Sequence, residues 1–559
     1  MADIRELIEK YALQNAVKYN AAPNAGAVMG KLMGGHPELR SKAKEIRPQI
    51  TEVLAEVEKM TPVEWQKRLE AIAPELIAEL SVHKEPERGL PPLEGAENGV
   101  IMRFAPNPNG PPTLGSARGI IINSEYVKKY GGEFIIRFDD TDPVKKRPMP
   151  EAYGWYLEDC EWLGAKPDKV ITASERVPYY YDVAEELIRR GGAYVCQCPQ
   201  EVFRNHKEKG IPCIHRDQSP EMNMVLWKRM LNGELHEGQA VLRIKTDMSY
   251  KDPAIRDWPA FRIVTTPHPI IGAKYRVWPL LDFESAVEDH LLGTTHILRG
   301  KDLADSETRQ MYLYRYMGWT YPRVIHWGRI KIHQFGSFST SKLRRAIEAG
   351  EYSGWDDPRV PTVRAMRCRG IRPEALRKFM IDLGVGQTDI SISMDSIYAE
   401  NRKLIDPEAN RYFFVWDPVP LEIEGSAPAV AHAPLHPTVD RGYREIPAGN
   451  SVLICKSDLD GLASGDKIRL KDFCNIEIIS LEPAKARFIG TEVSKKMKII
   501  HWAPASGIAI KVLRPDGEDS GIGETGIAKE LDNVVQFERY GFVRINCLGV
   551  PVVAYFTHK

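Results

Sequence analysis

The stretch Arg103-Phe-Ala-Pro-Asn-Pro-Asn-Gly-Pro-Pro-Thr-Leu-Gly-Ser-Ala-Arg-Gly119 joins a predicted strand, residues 99–104, to a predicted helix that begins near Ser116. A strand, a tight turn rich in Pro and Gly, and a helix N-terminus together form a seat for nucleotide phosphates. Unpaired N–H groups and the helix dipole both face the anion there. Turns of this composition also serve only to redirect the chain, so a nucleotide site needs support from a second motif.

The composition is that of a globular protein with several domains. The 559 residues exceed what one core supports, and 43% hydrophobic with 27% charged residues exclude a disordered or fibrous chain. Because 76 Lys and Arg balance 76 Asp and Glu, any nucleic-acid surface has to be a local patch. The apolar runs fall short of a membrane span and the first residues lack the core of a signal peptide. We therefore expect a cytoplasmic protein without membrane contact.

Three segments with different secondary-structure patterns follow one another along the chain. Residues 1 to about 82 have helical periodicity, and Thr61-Pro-Val-Glu-Trp65 has the spacing of a capping box with Pro at the first helical position. A Pro- and Gly-rich linker, residues 83–99, separates them from alternating strands and helices. The strand 132–138 ends in the acidic cluster Asp139-Asp140-Thr141-Asp142, where ligands of a parallel sheet bind. From about residue 420, short strands divided by turns predict an all-β module.

The second motif, Gly336-Ser-Phe-Ser-Thr-Ser-Lys-Leu-Arg-Arg345, lies about 220 residues after the first. It is a small, hydroxyl-rich segment that ends in cations. Movable positive charge opposite a phosphate seat suits stabilisation of a leaving pyrophosphate. Taken alone, the same composition describes a solvated loop before a basic helix. The pairing of the two motifs favours the catalytic interpretation.

Together the two motifs resemble the HIGH and KMSKS signatures of class I aminoacyl-tRNA synthetases, at Thr113–Ser116 and Phe338–Lys342. The resemblance is closest to the glutamyl/glutaminyl subgroup, whose ordered motifs recur at Arg103–Gly110, Arg137–Thr141 and Gly354–Arg359. It extends from about residue 99 to the C-terminus. The C-terminal part resembles the two anticodon-binding β-barrels of glutaminyl enzymes and of archaeal- and eukaryotic-type glutamyl-tRNA synthetases, not the helical cage of bacterial glutamyl enzymes.

The resemblance implies a multidomain α/β fold. The implied segments are a helical N-terminal domain and linker (1–96), the first half of a Rossmann-type catalytic domain (97–190), an inserted domain for the tRNA acceptor end (191–298), the second half of the catalytic domain with the KMSKS-like loop (299–345), a helical connector (346–404) and anticodon-binding β-barrels (405–559).

The family chemistry implied is two in-line steps without a protein nucleophile. The amino acid carboxylate attacks ATP, bound with Mg²⁺, to form an aminoacyl-adenylate, and a tRNA ribose hydroxyl then takes the acyl group. The resemblance assigns catalytic roles to Thr113, Ser116, Ser339, Ser341 and Lys342. It assigns ATP binding to Pro106, Asn107, Pro108, Asn109, Gly110, Thr113, Gly115, Ser116 and Lys342.

The chain departs from the family at both signatures. Hydroxyls at Thr113 and Ser116 replace the two family histidines, and Thr340 replaces a usual lysine. Because a hydroxyl cannot be cationic near neutral pH, we expect charge stabilisation to shift to Lys342 and Arg118. A tRNA-binding protein that has lost catalysis is therefore a non-enzymatic alternative.

The amino acid pocket favours L-glutamate. By resemblance, Arg103 contacts the substrate side chain, Asp139 the α-amino group, and Asp282 also belongs to the pocket. Arg299 is the informative position, because glutamate enzymes resemble this chain there and glutaminyl enzymes carry a small neutral residue. A rigid guanidinium fork suits a carboxylate. Leu281 stands where both subgroups have a tyrosine, and a glutaminyl enzyme remains the close alternative.

Four further residues have the spacing of a metal site. Cys196-Gln-Cys198 and Cys213-Ile-His215 supply ligands that suit tetrahedral zinc, although the spacing alone is equally compatible with buried thiols. Some glutamyl enzymes are similar here and hold a structural zinc, which the resemblance therefore implies.

The expected partners are tRNA(Glu) and L-glutamate. Charging of tRNA(Gln) and an amidotransferase partner that would act on that product are left open by the sequence. The resemblance places anticodon contacts at Arg402, Arg469, Lys471 and Gln536, each of which is also compatible with a solvated strand edge.

Overall fold

A computed structural model describes residues 4–19, 21–81, 89–335, 339–493 and 497–559. The chain divides into two units, residues 1–88 and 89–559, and each is described by itself. Residues 83–88 of the predicted linker lie outside the described residues, as do residues 336–338 of the second motif.

The first unit is helical, as its periodicity predicts. Its helices are α1 (Ile4–Tyr19), α2 (Ala25–Gly35), α3 (Ala43–Val57), α4 (Pro62–Ile72) and α5 (Pro74–Ser81). Their apolar faces bury a shared core that includes Leu13, Leu32, Val53 and Leu69. The predicted capping box is confirmed at α4, where the Thr61 side chain accepts from the Glu64 N–H and Glu64 accepts from the Thr61 N–H.

The second unit contains the remaining elements. Its helices are α6 (Leu114–Tyr130), α7 (Pro150–Trp162), α8 (Val177–Arg189), α9 (Gln200–Lys209), α10 (Pro220–Asn232), α11 (Leu281–Leu291), α12 (Ala304–Met317), α13 (Thr340–Glu348), α14 (Val363–Cys368), α15 (Pro373–Leu383) and α16 (Asp395–Ile405). The strands of its first half are β1 (Val100–Phe104), β2 (Gly132–Phe138), β3 (Lys169–Thr172), β4 (Ala193–Cys196), β5 (Val241–Ile244), β6 (Pro259–Ile263), β7 (Val277–Pro279), β8 (His296–Gly300), β9 (Arg323–Trp327), β10 (Ile330–Ile332) and β11 (Ile390–Ile392).

The strands of its second half complete the set. They are β12 (Arg411–Tyr412), β13 (Phe414–Trp416), β14 (Pro418–Glu424), β15 (Val430–Pro434), β16 (Tyr443–Pro447), β17 (Ser451–Cys455), β18 (Lys467–Leu470), β19 (Asn475–Leu481), β20 (Ala484–Gly490), β21 (Lys498–Ile500), β22 (Ala503–Pro504), β23 (Ile508–Arg514), β24 (Gly517–Gly523), β25 (Val534–Phe537), β26 (Gly541–Cys547) and β27 (Val552–His558).

A parallel five-stranded sheet forms the centre of the first half, in the order β3-β2-β1-β8-β9. Strand order reverses between β1 and β8, and ligands of such sheets bind at the carboxyl ends of the strands beside this reversal. The strand 132–138 has the predicted bounds. Helix α6 begins at Leu114, two residues before its predicted start, because the Thr113 side chain caps it.

An antiparallel sheet, β4-β5-β6-β7, lies in the chain between β3 and β8. Helices α8 and α10 pack around the core of this segment, which buries Trp227, Trp258, Phe261 and Trp278. The segment is thus inserted between the two halves of the parallel sheet.

The all-β texture predicted from about residue 420 is confirmed as two seven-stranded sheets. One sheet has the order β12-β25-β26-β27-β23-β24-β13, and the other has the order β21-β18-β19-β20-β14-β17-β22. The short strands β12 and β13 pair with strands more than a hundred residues later before the chain enters the other sheet. The sheet of residues 418–504 is therefore an insertion within the sheet that ends the chain.

Among the described helices, none has both the length and the apolar character needed to cross a lipid bilayer.

Candidate active site

The predicted phosphate seat is the turn between β1 and α6. Thr113 caps the helix, because its Oγ1 accepts from the Ser116 N–H at 3.3 Å and lies 3.3 Å from the Ser116 Oγ. Both side chains are half-buried, whereas Gly115 in the same first turn is exposed. The N-terminus of a 17-residue helix thus presents an exposed glycine backbone beside two hydroxyls, an arrangement that favours an anion.

The turn itself, residues 105–112, is fixed to the carboxyl end of β2. The Asp139 N–H donates to the Pro106 carbonyl at 2.9 Å, and the Asn107 side chain donates to the Asp139 carbonyl at 2.9 Å. The Met149 N–H donates to the Pro108 carbonyl at 2.8 Å. Two backbone hydrogen bonds and one from the Asn107 side chain hold this turn in place, so the seat is preorganised.

The two sequence motifs meet at Gly110. A Cβ placed on Gly110 would overlap the Thr340 side chain and would lie 2.9 Å from the Trp355 ring. Only glycine lets the turn approach α13 this closely. Ser339 caps α13 by accepting from the Lys342 N–H, and Ser341 and Lys342 are exposed in its first turn. The tertiary structure therefore brings the second motif to the phosphate seat.

Arg118 does not join this seat, contrary to the expectation from the sequence. Its side chain is 2% exposed and donates to the carbonyls of Gly328 and Gly384. The guanidinium also lies over the Trp327 ring, 4.6 Å from its centroid. Burial lowers the pKa of Arg118 to about 10. Because the guanidinium is fixed by these backbone contacts, Lys342 remains the candidate of the two cations expected to serve the phosphates.

The predicted amino acid pocket lies where the strand order reverses. Arg103 on β1, Asp139 after β2 and Arg299 on β8 are all buried at the carboxyl edge of the sheet. Arg103 donates to both carboxylate oxygens of Asp289, at 2.9 and 3.0 Å. Asp282 is half-buried, and its carboxylate accepts from Arg309 at 2.6 Å.

A fully buried guanidinium, Arg137, connects the acidic residues of this pocket. It donates to Asp139 at 2.6 Å and to Asp289 at 2.7 Å, and it lies 3.7 Å from Glu284. The sequence reasoning missed Arg137 and Asp289 as pocket residues. The signal for Arg137 was its place at the start of the motif Arg137–Thr141, whereas Asp289 lies in a helix that contains none of the quoted motifs.

Burial and pairing set the charges of this cluster. Burial by itself disfavours the Asp289 carboxylate, but Arg103 and Arg137 outweigh it and hold the pKa of Asp289 well below its usual range. Burial raises the pKa of the Glu284 carboxyl well above its usual range, and the neighbouring Asp139 acts in the same direction.

The pocket contains three guanidinium groups with different partners. Arg103 and Arg137 donate to the carboxylates of Asp139 and Asp289. Hydrogen bonds from Arg299 go to the neutral groups of Gln310 and Tyr321. An anionic side chain is the ligand that such a pocket favours.

The four predicted metal ligands come together in the inserted segment. The Cys196 and Cys213 sulfurs are 3.8 Å apart, and the Cys198 sulfur lies 3.3 Å from His215 Nδ1. All four donor atoms lie within 4.8 Å of one another. Tetrahedral zinc with Zn–S bonds of about 2.3 Å places its sulfur ligands about 3.8 Å apart, so the donor set fits zinc in identity and spacing.

The predicted anticodon residues lie far along the chain, on α16, in β18 and β25, and in the turn that follows β18. Arg402 is exposed and its guanidinium lies 5.7 Å from the centroid of the Phe542 ring. Lys471 forms an ion pair with Glu538. Gln536 is half-buried in β25, while Arg469 is 8% exposed and donates to Asn475 at 2.8 Å. Arg402 is thus the most accessible cation of the four.

Comparison with known proteins gives family matches over most of the second unit. Residues 99–407 match the catalytic domain of the tRNA synthetases class I (E and Q). Residues 409–494 and 499–546 match two anticodon-binding domains of the same family.

Curated relatives match along the whole chain. The chain is 69% identical to a glutamate–tRNA ligase of Methanothrix thermoacetophila, with 100% of both chains covered. It is 62% identical to a glutamate–tRNA ligase of Methanosarcina acetivorans and 61% identical to one of Methanosarcina barkeri, with 99% of this chain and 98% of each relative covered. The chain therefore belongs to the class I tRNA synthetase family of the glutamate and glutamine enzymes.

Proposed function

We propose that the chain ligates L-glutamate to tRNA(Glu) with ATP, through a glutamyl-adenylate. The observation that carries this proposal is Arg299, a buried guanidinium whose hydrogen bonds go to neutral groups beside the pocket of Arg103 and Asp139. The glutamate–tRNA ligases to which the chain is 60–69% identical support the same substrate. A neutral glutamine side chain would leave this charge without a partner.

In the first step, an oxygen of the α-carboxylate of glutamate attacks the α-phosphorus of ATP. The bond between that phosphorus and the bridging oxygen breaks, and pyrophosphate leaves with the electron pair. We assign the phosphates to the turn 106–110 and the first turn of α6, and the negative charge of the leaving group to Lys342 with Ser339 and Ser341 nearby. Magnesium bound with ATP would neutralise part of the phosphate charge.

We assign orientation of the amino acid to the pocket. Asp139 would accept hydrogen bonds from the α-ammonium group, while Arg299 and Arg103 would face the side-chain carboxylate. In the second step a terminal ribose hydroxyl of the tRNA attacks the acyl carbon and AMP leaves. Both steps use positioning and charge stabilisation, so the chain needs no nucleophilic side chain.

We infer that the remaining segments bind tRNA. The inserted segment 191–298 would hold the acceptor end, and the β sheets from residue 405 would read the anticodon. Arg402, Lys471 and Gln536 are candidates for direct contacts, and Arg469 would have to leave Asn475 to reach RNA. We leave residues 1–96 without an assigned role.

A charging assay tests this function. With ATP, Mg²⁺ and tRNA(Glu), we expect incorporation of glutamate to exceed that of glutamine by about 10²-fold or more in kcat/KM, as expected for a charge that a neutral ligand leaves unpaired. Better charging with glutamine would identify a glutaminyl enzyme, and charging with neither would identify a tRNA-binding protein without catalysis. The same assay on tRNA(Gln) measures whether the chain also makes the product that an amidotransferase partner would convert.

We further propose a structural zinc ion held by Cys196, Cys198, Cys213 and His215. A closed shell of four protein ligands leaves no position for metal chemistry, so the ion would stabilise the inserted segment. We expect the purified protein to contain one zinc per chain by elemental analysis and Cys198→Ser to lose it, with a lower melting temperature. Cys547→Ser, at an exposed cysteine elsewhere, is the control and should keep zinc. Full zinc content in Cys198→Ser would contradict the proposal.

A further inference from the structure

Arg299 is the pocket arginine whose hydrogen bonds go only to uncharged groups. Its two terminal nitrogens each lie 3.2 Å from Gln310 Oε1, and one lies 3.4 Å from the Tyr321 hydroxyl. Within the described parts of the chain, no carboxylate forms an ion pair with it at 4.0 Å or less. Arg103 and Arg137, in contrast, each donate to at least one carboxylate.

The orientation of the Gln310 amide follows from its other contacts. Its Nε2 donates to the Ser285 Oγ at 2.7 Å and to the Asp282 carbonyl at 3.2 Å, so the amide oxygen must face Arg299. The Tyr321 hydroxyl donates to the same oxygen at 2.6 Å. Burial raises the pKa of Tyr321 to about 12, which keeps that hydroxyl protonated.

These contacts fix Gln310 in one position. The side chain is 1% exposed on α12, and both ends of its amide are satisfied. A glutamate in its place would have the same length and would approach Arg299 equally closely. It would, however, neutralise the guanidinium that the glutamine leaves charged.

We propose that Gln310 is a positioning residue that holds Arg299 through a neutral acceptor and so keeps its positive charge available to the carboxylate of the substrate side chain. This inference rests on the proposed function. Asp289 interacts electrostatically with Arg299, and its carboxylate is already paired with Arg103 and Arg137. A carboxylate at position 310 would instead give Arg299 an ion-pair partner within the chain.

Steady-state charging kinetics of Gln310→Glu test the proposal. We expect KM for glutamate to rise about tenfold or more, while KM for ATP stays within about twofold, because only the amino acid pocket changes charge. The preference for glutamate over glutamine, measured as the ratio of kcat/KM values, should fall by about tenfold or more. A loss that is merely structural would change both substrates' parameters together.

Two further variants complete the experiment. Gln310→Met keeps the size and neutrality but offers no acceptor, so we expect a smaller rise in KM for glutamate and an unchanged preference for glutamate. Gln387→Glu adds the same charge at an exposed site and should leave all parameters unchanged.

Either of two outcomes would overturn the inference. The KM for glutamate in Gln310→Glu could stay within about twofold of that of the unaltered chain, or Gln310→Met could lose as much glutamate preference as Gln310→Glu. If Gln310→Glu fails to fold, the kinetics of Gln310→Met test the proposal instead. An unchanged KM for glutamate in Gln310→Met would then refute the positioning role. Absence of glutamate charging by the unaltered chain would instead refute the proposed function.

Discussion

Arg299→Gln is expected to lower kcat/KM for glutamate by about 10²- to 10³-fold, which corresponds to about 3 to 4 kcal/mol. The side chain is buried, so its hydrogen bonds to the carboxylate of a bound glutamate would be little screened by water. A glutamine side chain keeps donors for Gln310 but carries no charge. The assay is charging of tRNA(Glu) with glutamate and, separately, with glutamine.

The change in glutamine charging by Arg299→Gln distinguishes substrate selection from a general loss of activity. Removal of the charge should leave glutamine charging unchanged or raise it, because the neutral amide no longer faces an unpaired cation. Arg323→Gln is the matched control, since this exposed arginine on the neighbouring strand β9 pairs with Glu94. Equal losses for glutamate and glutamine would show that Arg299 supports the fold of the pocket and does not select the substrate.

Lys342→Ala is expected to lower kcat by about 10²- to 10³-fold, the effect of removing one preorganised group that stabilises charge in a transition state. KM for glutamate should change by no more than about threefold, because Lys342 belongs to the phosphate side of the site. The measurement is tRNA charging under saturating ATP. With the two family histidines replaced by Thr113 and Ser116, and Arg118 fixed elsewhere, we expect the chain to depend strongly on this lysine.

We do not expect Lys342→Ala to lower activity through a folding defect. Lys342 is exposed at the start of α13, so its removal should leave the melting temperature of the protein unchanged. Lys128→Ala, an exposed lysine near the other end of α6, is the control and should keep full activity. A Lys342→Ala protein with normal kcat would contradict the role of the second motif in catalysis.

Much of the architecture could be predicted from local patterns. The capping box of α4, the bounds of β2 and the all-β texture near the C-terminus depend on residues close in sequence, and the structure agrees with each. The turn after β1 was likewise recognisable, because its Pro and Gly residues restrict the backbone directly. The predicted start of α6 was two residues too late, because the Thr113 cap, and not Ser116, sets where the helix begins.

The charge assignments within the site could not be predicted in the same way. Arg118 has the same helical spacing whether it faces phosphates or the carbonyl of Gly384, which is 266 residues away. The break of the all-β part into an inserted sheet was also absent from the sequence pattern, since pairing of β12 with β25 is a long-range choice.

The sequence by itself determined which chemical groups this protein has and their order: a phosphate-binding turn, a lysine-bearing second motif, arginines on two strands and two pairs of metal ligands. Only the tertiary structure decided which of those groups are already neutralised. Arg103 meets Asp289 across 186 residues, whereas Arg299 meets Gln310 on the next helix. The physical reason is that an arginine's free charge depends on burial and on the partners within a few ångströms, and those partners are set by packing between distant segments.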